Sequence, residues 1–303
     1  MAEPPDVTPP RRRASPAQIR RRRAVALAVL VLAVAAAIAA VAVALPRARH
    51  DAAPTTTAVL PPPPKPFRVV FPEGFTRTQM AERVQAVAKI AERKKGKPVK
   101  IARSAYLAAT RTLLVPCFAP HRRTKVEGFL FPATYDFLAK TTSRQLVQQQ
   151  VVAFCRNWKK IDLTYARSKN LTPYDVLTIA SLIQGEAVVA SDGPKIAAVV
   201  YNRLHLRMAL GIDAALRYAL HIPGTESIHQ SQLQNPTAYN LRLHTGLPPT
   251  PIDNPGLEAM QAAAHPAKVD YLYFVAKPDK RHHFFTASAS EFQHYLCAHG
   301  YGC

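Results

Sequence analysis

Apolar positions follow three different patterns along this chain. Residues 24–45 form one unbroken apolar run of 22 residues without a charge, a Pro or a Gly. A helix of that length, at about 1.5 Å per residue, spans the roughly 30 Å hydrocarbon core of a bilayer. Arg20–Arg23 precede it, so the N-terminus is expected on the cytoplasmic side and residues 46–303 outside. A cleaved signal peptide is the alternative, with Ala42-Val43-Ala44 as its site. Signal cores run to about 7–15 residues, so an uncleaved anchor is the expectation. Residues 1–23 and 46–66 carry no apolar period. The first is a basic tail of Arg, Pro and Ala without an aromatic residue, too polar to order itself. The second is a linker centred on Pro61–Pro64, which favours extended polyproline II at about 3.1 Å per residue.

From residue 67 onward the pattern is that of a folded domain. Residues 67–71 read as a short strand. Thr76 and Gln79 are spaced as a capping box opening a helix whose stripe is Met80, Val84, Val87 and Ile90. Residues 94–100 read as a basic turn, and a helix follows from about Ser104. Residues 141–158 form another helix, with Val147, Val151, Phe154 and Trp158 on one face. Thr172-Pro173-Tyr174-Asp175 places Pro at a first helical position and a carboxylate in the first turn. That helix carries Val176, Leu177, Ile179, Ala180 and Ile183 and reaches Glu186. Ser191–Pro194 breaks it and starts the next helix. Residues 271–276 and 282–286 read as a hairpin around a basic turn. Ser288 and Glu291 are spaced as another capping box.

Charge and cysteine content refine the picture. The net charge is +21. Seven Arg against Glu3 and Asp6 put part of it in the tail, and most belongs to residues beyond it. A basic excess raises nucleic acid as a partner, but no nucleic-acid-binding motif is present. Outside a cell the acidic partners are wall polymers and peptide carboxylates; the charge also reads simply as a solvated face. The four Cys lack metal-ligand spacing, and an outside location permits disulfides. Cys297 and Cys303 close a short loop and are the expected pair; Cys155 reads as a core residue.

Glu186 is the residue most open to chemistry. On a helix it lies about 20° from Ile179 and about 60° from Ile183, on the apolar face. Desolvation there raises a carboxyl pKa, which equips it to protonate a glycosidic oxygen. The bland alternative is a side chain at a helix end that reaches water. Glu127, Asp136, Asp213 and Asp253 are the other acids in motif-like stretches. Glu73, in a turn far along the chain, is expected to lie outside any site. A conventional glycosidase needs two flanking carboxylates; a transglycosylase, whose sugar supplies its own C6 hydroxyl, needs only one. No Gly-rich phosphate loop and no G-x-S-x-G elbow occurs, and His282-His283 lacks a third metal ligand at regular spacing.

Four stretches together resemble the endolytic murein transglycosylases, the YceG-like family: residues 126–135, the helix segment 180–187, residues 197–204, and the run 236–286, which includes Ala238-Tyr239-Asn240 and Gly246 through Ile252. The resemblance implies an α+β fold, with a single extracytoplasmic catalytic domain (67–303) on one N-terminal transmembrane helix. It implies cleavage of the MurNAc–GlcNAc bond of nascent peptidoglycan with 1,6-anhydroMurNAc ends. Glu186 matches the family's catalytic acid, and Glu127, Asp213, Tyr239, Asn240 and His282 match positions in or near the cleft. No metal or organic cofactor is implied, and the partners are glycan strands and membrane-bound wall-synthesis proteins. The sequence departs from the family pattern at Gln184, Gly185, Gly211, Ile212 and Ala214, and the family's LysM-like region is missing or much reduced. A degenerate wall-binding protein and a lysozyme-like hydrolase are therefore the alternatives.

Overall fold

The computed structural model describes residues 21, 25–37, 64–111, 114–118 and 127–301. The chain divides into two compact units, residues 1–62 and 63–303. In the first, residues 25–37 are helical and exposed. Among the described residues no helix is long and apolar enough to cross a membrane. The rest of the expected 24–45 span lies outside the described residues, as do nearly all of the 1–23 tail and most of the 46–66 linker.

The second unit is a mixed helical and sheet fold. Its elements are β1 (Phe67–Val70), α1 (Arg77–Lys95), α2 (Arg103–Ala109), β2 (Thr134–Phe137), α3 (Ser143–Trp158), α4 (Thr164–Ser168), α5 (Pro173–Glu186), α6 (Gly193–His205), α7 (Asp213–Leu220), α8 (Gln230–Leu233), α9 (Leu257–Ala264), β3 (Tyr273–Ala276), β4 (His283–Thr286) and α10 (Ala289–Ala298). A 3₁₀ turn, Ala190–Asp192, separates α5 from α6. Both sheets are two-stranded and antiparallel. β1 pairs with β2 in the register Val69↔Tyr135, and β3 with β4 in the register Phe274↔Phe285.

Helix α5 is the axis of the fold. Thr172 caps it reciprocally with Asp175, Pro173 fixes its first turn, and every residue from Val176 to Ile183 is buried. A helix buried all round belongs at the centre of a domain rather than on one side of it. Its two polar members are satisfied: Thr178 donates to the Tyr174 carbonyl and Ser181 to the Thr178 carbonyl. α9 covers it more extensively than any other element, and α6 packs beside it.

Four local expectations are corrected. On α1 the buried stripe is Met80, Ala81, Val84, Ala88 and Ala91, while Ile90 is 43% exposed; three of the five buried residues are alanines, whose small side chains allow close packing. The same helix runs through Lys95 before Gly96 closes it with φ 62°, so the basic turn starts later than residue 94. Ser288 caps α10, but the Glu291 carboxylate accepts from the Thr286 hydroxyl at 2.6 Å instead of closing the box. Cys155 packs on the core as half of a disulfide with Cys117. Cys297 is also disulfide-bonded; Cys303 lies outside the described residues.

Candidate active site

Glu186 is the last residue of α5, where the helix gives way to extended backbone at Ala187 (ψ 117°). It is half-buried. The C-terminus of α5 there meets the N-terminus of α7. The Ala214 N–H, one of the backbone donors left unpaired at a helix start, hydrogen-bonds the Glu186 carboxyl. Asp213, which opens α7, stands close enough to act on it by charge. Asp213 is itself gripped by Arg242, with Nε–Oδ1 2.6 Å and Nη2–Oδ2 2.8 Å. Burial first, and the Asp213 charge second, push the Glu186 carboxyl up to about 7. It therefore holds a proton near neutrality and can take it back, as a general acid–base group must.

Gly185, which precedes this residue, and Ala214, whose N–H bonds its carboxyl, line a cleft of about 820 Å³ together with Arg77, Glu127, Arg217, Tyr218, Tyr239 and Asp253. Glu127 lies at its floor, 5% exposed. Its Oε1 accepts from the Arg77 N–H (2.8 Å) and the Asn254 amide (2.9 Å), and its Oε2 from the Tyr218 hydroxyl (3.3 Å). Burial outweighs these donors and pushes Glu127 up to about 7. Tyr218 packs against Tyr239, ring centroids 5.5 Å apart, and the Tyr239 hydroxyl bonds Thr250 at 2.8 Å. Two aromatic rings beside polar groups make a surface suited to sugar faces and edges. A slightly larger hollow, about 910 Å³, lies around Tyr165, Tyr174, Tyr201 and residues 247–249. The one carboxylate lining it, Asp175, is committed to the Thr172 cap, so the smaller cleft is the candidate site. Among the described residues no group of three or more His, Cys, Asp or Glu side chains is placed to hold a metal ion.

Residues 48–296 match the YceG-like family. The chain belongs to that family. It is 32% identical over 216 residues to an endolytic murein transglycosylase of Bacillus subtilis, covering 70% of this chain and 59% of that protein. It is 34% identical over 225 residues to one of Streptococcus pneumoniae, covering 69% of this chain and 40% of that protein. The chain thus spans about half the length of these relatives. A crystal structure of a yceG-like protein from Listeria monocytogenes superposes with a TM-score of 0.62 at 28% identity, covering 75% of each chain.

The residues that resemble YceG-like positions do not all converge. Glu186 and Asp213 meet at the α5–α7 junction, and Glu127 and Tyr239 line the cleft. Asn240 is fully buried, and its amide is committed to the backbone: Nδ2 donates to the Leu233 and Asn235 carbonyls and Oδ1 accepts from the Arg242 N–H. It holds the loop that carries Tyr239 and Arg242. His282 sits in the β3–β4 turn with its ring on Asp279 at 2.8 Å, and it is not among the cleft residues. Its neighbour His283 is the buried one, tied through N–H and ring to Asp192. Glu73 is nearer the site than its place in the chain suggests. Its carboxylate presses on Gly256, whose N–H donates to Gln184 on α5, and burial followed by the Glu258 charge raises it.

Sequence reasoning assigned no role to Asn254, Tyr218 or Arg242. Asn254 is fully buried and ties three loops, accepting from the Leu130 N–H and donating to the Phe75 carbonyl and Glu127. An Asn between Asp and Pro reads only as a turn; its partners are remote in sequence, and no spacing discloses them.

Proposed function

We propose that this protein is an endolytic lytic transglycosylase of peptidoglycan, with Glu186 as acid and then base. The observation that carries this reading is a half-buried carboxyl raised to about 7, placed between Gly185 and Ala214, which line the cleft. It is supported by the names of the Bacillus and Streptococcus relatives. In the reaction the Glu186 proton passes to the glycosidic oxygen as the bond to the MurNAc anomeric carbon breaks. The C6 hydroxyl of the same MurNAc closes on that carbon, and its proton returns to Glu186. Water is not consumed, and the product ends in 1,6-anhydroMurNAc. Glu127, Asp213 and Tyr239 form the wall against which the sugars seat, and Asn240 holds the Tyr239 loop.

The same proposal places residues 24–45 in the plasma membrane, the N-terminus in the cytoplasm and residues 67–303 outside, beside membrane-bound wall-synthesis proteins. The support is the 22-residue apolar run behind Arg20–Arg23. Intact-mass analysis of the membrane fraction tests it, and a mature start near Leu45 refutes it. The activity is tested by incubating the full-length protein with purified glycan strands and reading the new ends by mass spectrometry. Anhydro ends support the proposal. Reducing ends mean a hydrolase, and uncut strands mean a degenerate binding protein of the kind that Gly211, Ile212 and Ala214 suggest.

A further inference from the structure

Among the described residues, Asp253 is the one with a buried side-chain polar atom that the fold leaves unanswered. It is 5% exposed, and its Oδ1 is buried with no hydrogen-bond partner. Its neighbours are all satisfied: Ile252 donates its N–H to Ser181 at 3.0 Å, and Asn254 uses both ends of its amide. The segment is thus pinned on both sides while the carboxyl between them stays free. A buried acceptor without a donor is costly to a fold; Oδ1 is sealed from solvent, so a ligand in the cleft meets this carboxyl through Oδ2.

Glycines flank this carboxyl on the side of Oδ2. A Cβ built at Gly74 falls 3.9 Å from Asp253 Oδ2, and one at Gly185 falls 3.8 Å from the same oxygen. Both glycines line the cleft with Asp253, so neither position puts a side chain of its own beside Oδ2. At Gly185 a Cβ is also 3.0 Å from the Ala214 Cβ, so a side chain there crowds the point where α5 meets α7. We propose that Asp253 is a glycan-binding residue that accepts a hydrogen bond from a sugar hydroxyl or acetamide N–H of the strand seated in the cleft. This rests on the glycan reading of the cleft given above. Burial, and then the charge of Glu127, raise Asp253 well above the usual carboxylate range. The neutral form is thereby favoured, and asparagine is its near-isosteric mimic.

The test is binding, separated from turnover by working in full-length Glu186→Gln protein. Calorimetry with a peptide-free GlcNAc–MurNAc oligosaccharide gives the Kd of that parent and of the same protein carrying Asp253→Ala or Asp253→Asn. Loss of one ligand hydrogen bond is expected to weaken Asp253→Ala about tenfold, with asparagine within about threefold of the parent. The Tm of Asp253→Ala should hold or rise, because an unanswered buried carboxyl has been removed. A purely structural residue gives the reverse, a lowered Tm with unchanged Kd, and that result overturns the proposal. Equal binding by parent and Asp253→Ala also overturns it while leaving the glycan reading standing. A parent that binds no oligosaccharide overturns both.

Discussion

Two glutamates are raised to about 7, one lining the cleft and one beside residues that line it, and they are raised in opposite settings. At the wall, Glu186 ends a helix, is half-buried, and faces Asp213, Arg217 and Arg242. At the floor, Glu127 is 5% exposed and accepts three hydrogen bonds from Arg77, Asn254 and Tyr218. Both values are dominated by desolvation. What separates them is burial and commitment: the floor carboxyl accepts from the start of α1, from α7 and from the Asn254 loop, whereas the half-buried wall carboxyl has the Ala214 N–H as its backbone donor. A perturbed carboxyl marks a functional region, and here it takes geometry to decide which of two is the acid.

The sharpest way to break that distinction is to make the same change at both positions. Glu186→Gln should lower the yield of anhydro ends at least 10²-fold and up to about 10⁴-fold, the range for losing a general acid–base group, with Tm unchanged or slightly raised. Glu127→Gln keeps most of its hydrogen bonds and should retain measurable cleavage. Mass spectrometry of digested strands, with a melting curve for each variant, reads both. If Glu127→Gln is the dead enzyme and Glu186→Gln cleaves normally, the roles of wall and floor are reversed.

The floor carboxyl should show itself in stability rather than rate. Glu127 has an ordinary value of 4.5 and stands at about 7 in the fold. Between those two pH values the native state holds a proton that the unfolded chain has released. Stability therefore falls as pH rises from about 4.5 to 7, then levels off. A shift of this size in a buried group corresponds to about 3 kcal/mol. Glu186 adds a slope of the same sign. Denaturant unfolding across this pH range should show the decline, and Glu127→Gln should flatten it; an unchanged slope in that variant places the linkage elsewhere.

The wall was more legible in the sequence than the floor, for a physical reason. Thr172, Pro173 and Asp175 announce the start of α5, and its apolar residues carry the reading fourteen residues on to Glu186, all within one helix. Glu127 was reached by resemblance. Its bonds to Arg77 and Asn254 cross 50 and 127 residues, and polar contacts at such range leave no period to read. The start of α7 was missed because Ile212, at its N-cap, offers no capping side chain. The Cys117–Cys155 bridge joins residues 38 apart, so the nearer pair drew attention first. Asp253 was visible as an acid in a motif, but its isolation is made by glycines at 74 and 185, and a vacancy formed by two distant residues has no local signature.

The finest comparison is within the wall itself, where Asp213 and Arg242 act on Glu186 with opposite signs. Asp213 raises it and Arg242 lowers it, and the two hold each other in a two-point ion pair. Asp213→Asn removes the charge that favours the protonated acid and frees Arg242 to oppose it further. The Glu186 pKa should then fall, and the high-pH limb of the cleavage profile should move down by roughly one unit, a loss of up to about tenfold above pH 7 and little change near pH 5.5. Arg242→Ala leaves Asp213 unbalanced beside Glu186 and should move the same limb upward. A pH–rate profile of anhydro-end formation measures both. Damage to the α7 junction alone would lower activity at every pH and shift both variants alike. Limbs that move in opposite directions therefore identify the proton on Glu186 as the one the reaction uses, and limbs that move together count against it.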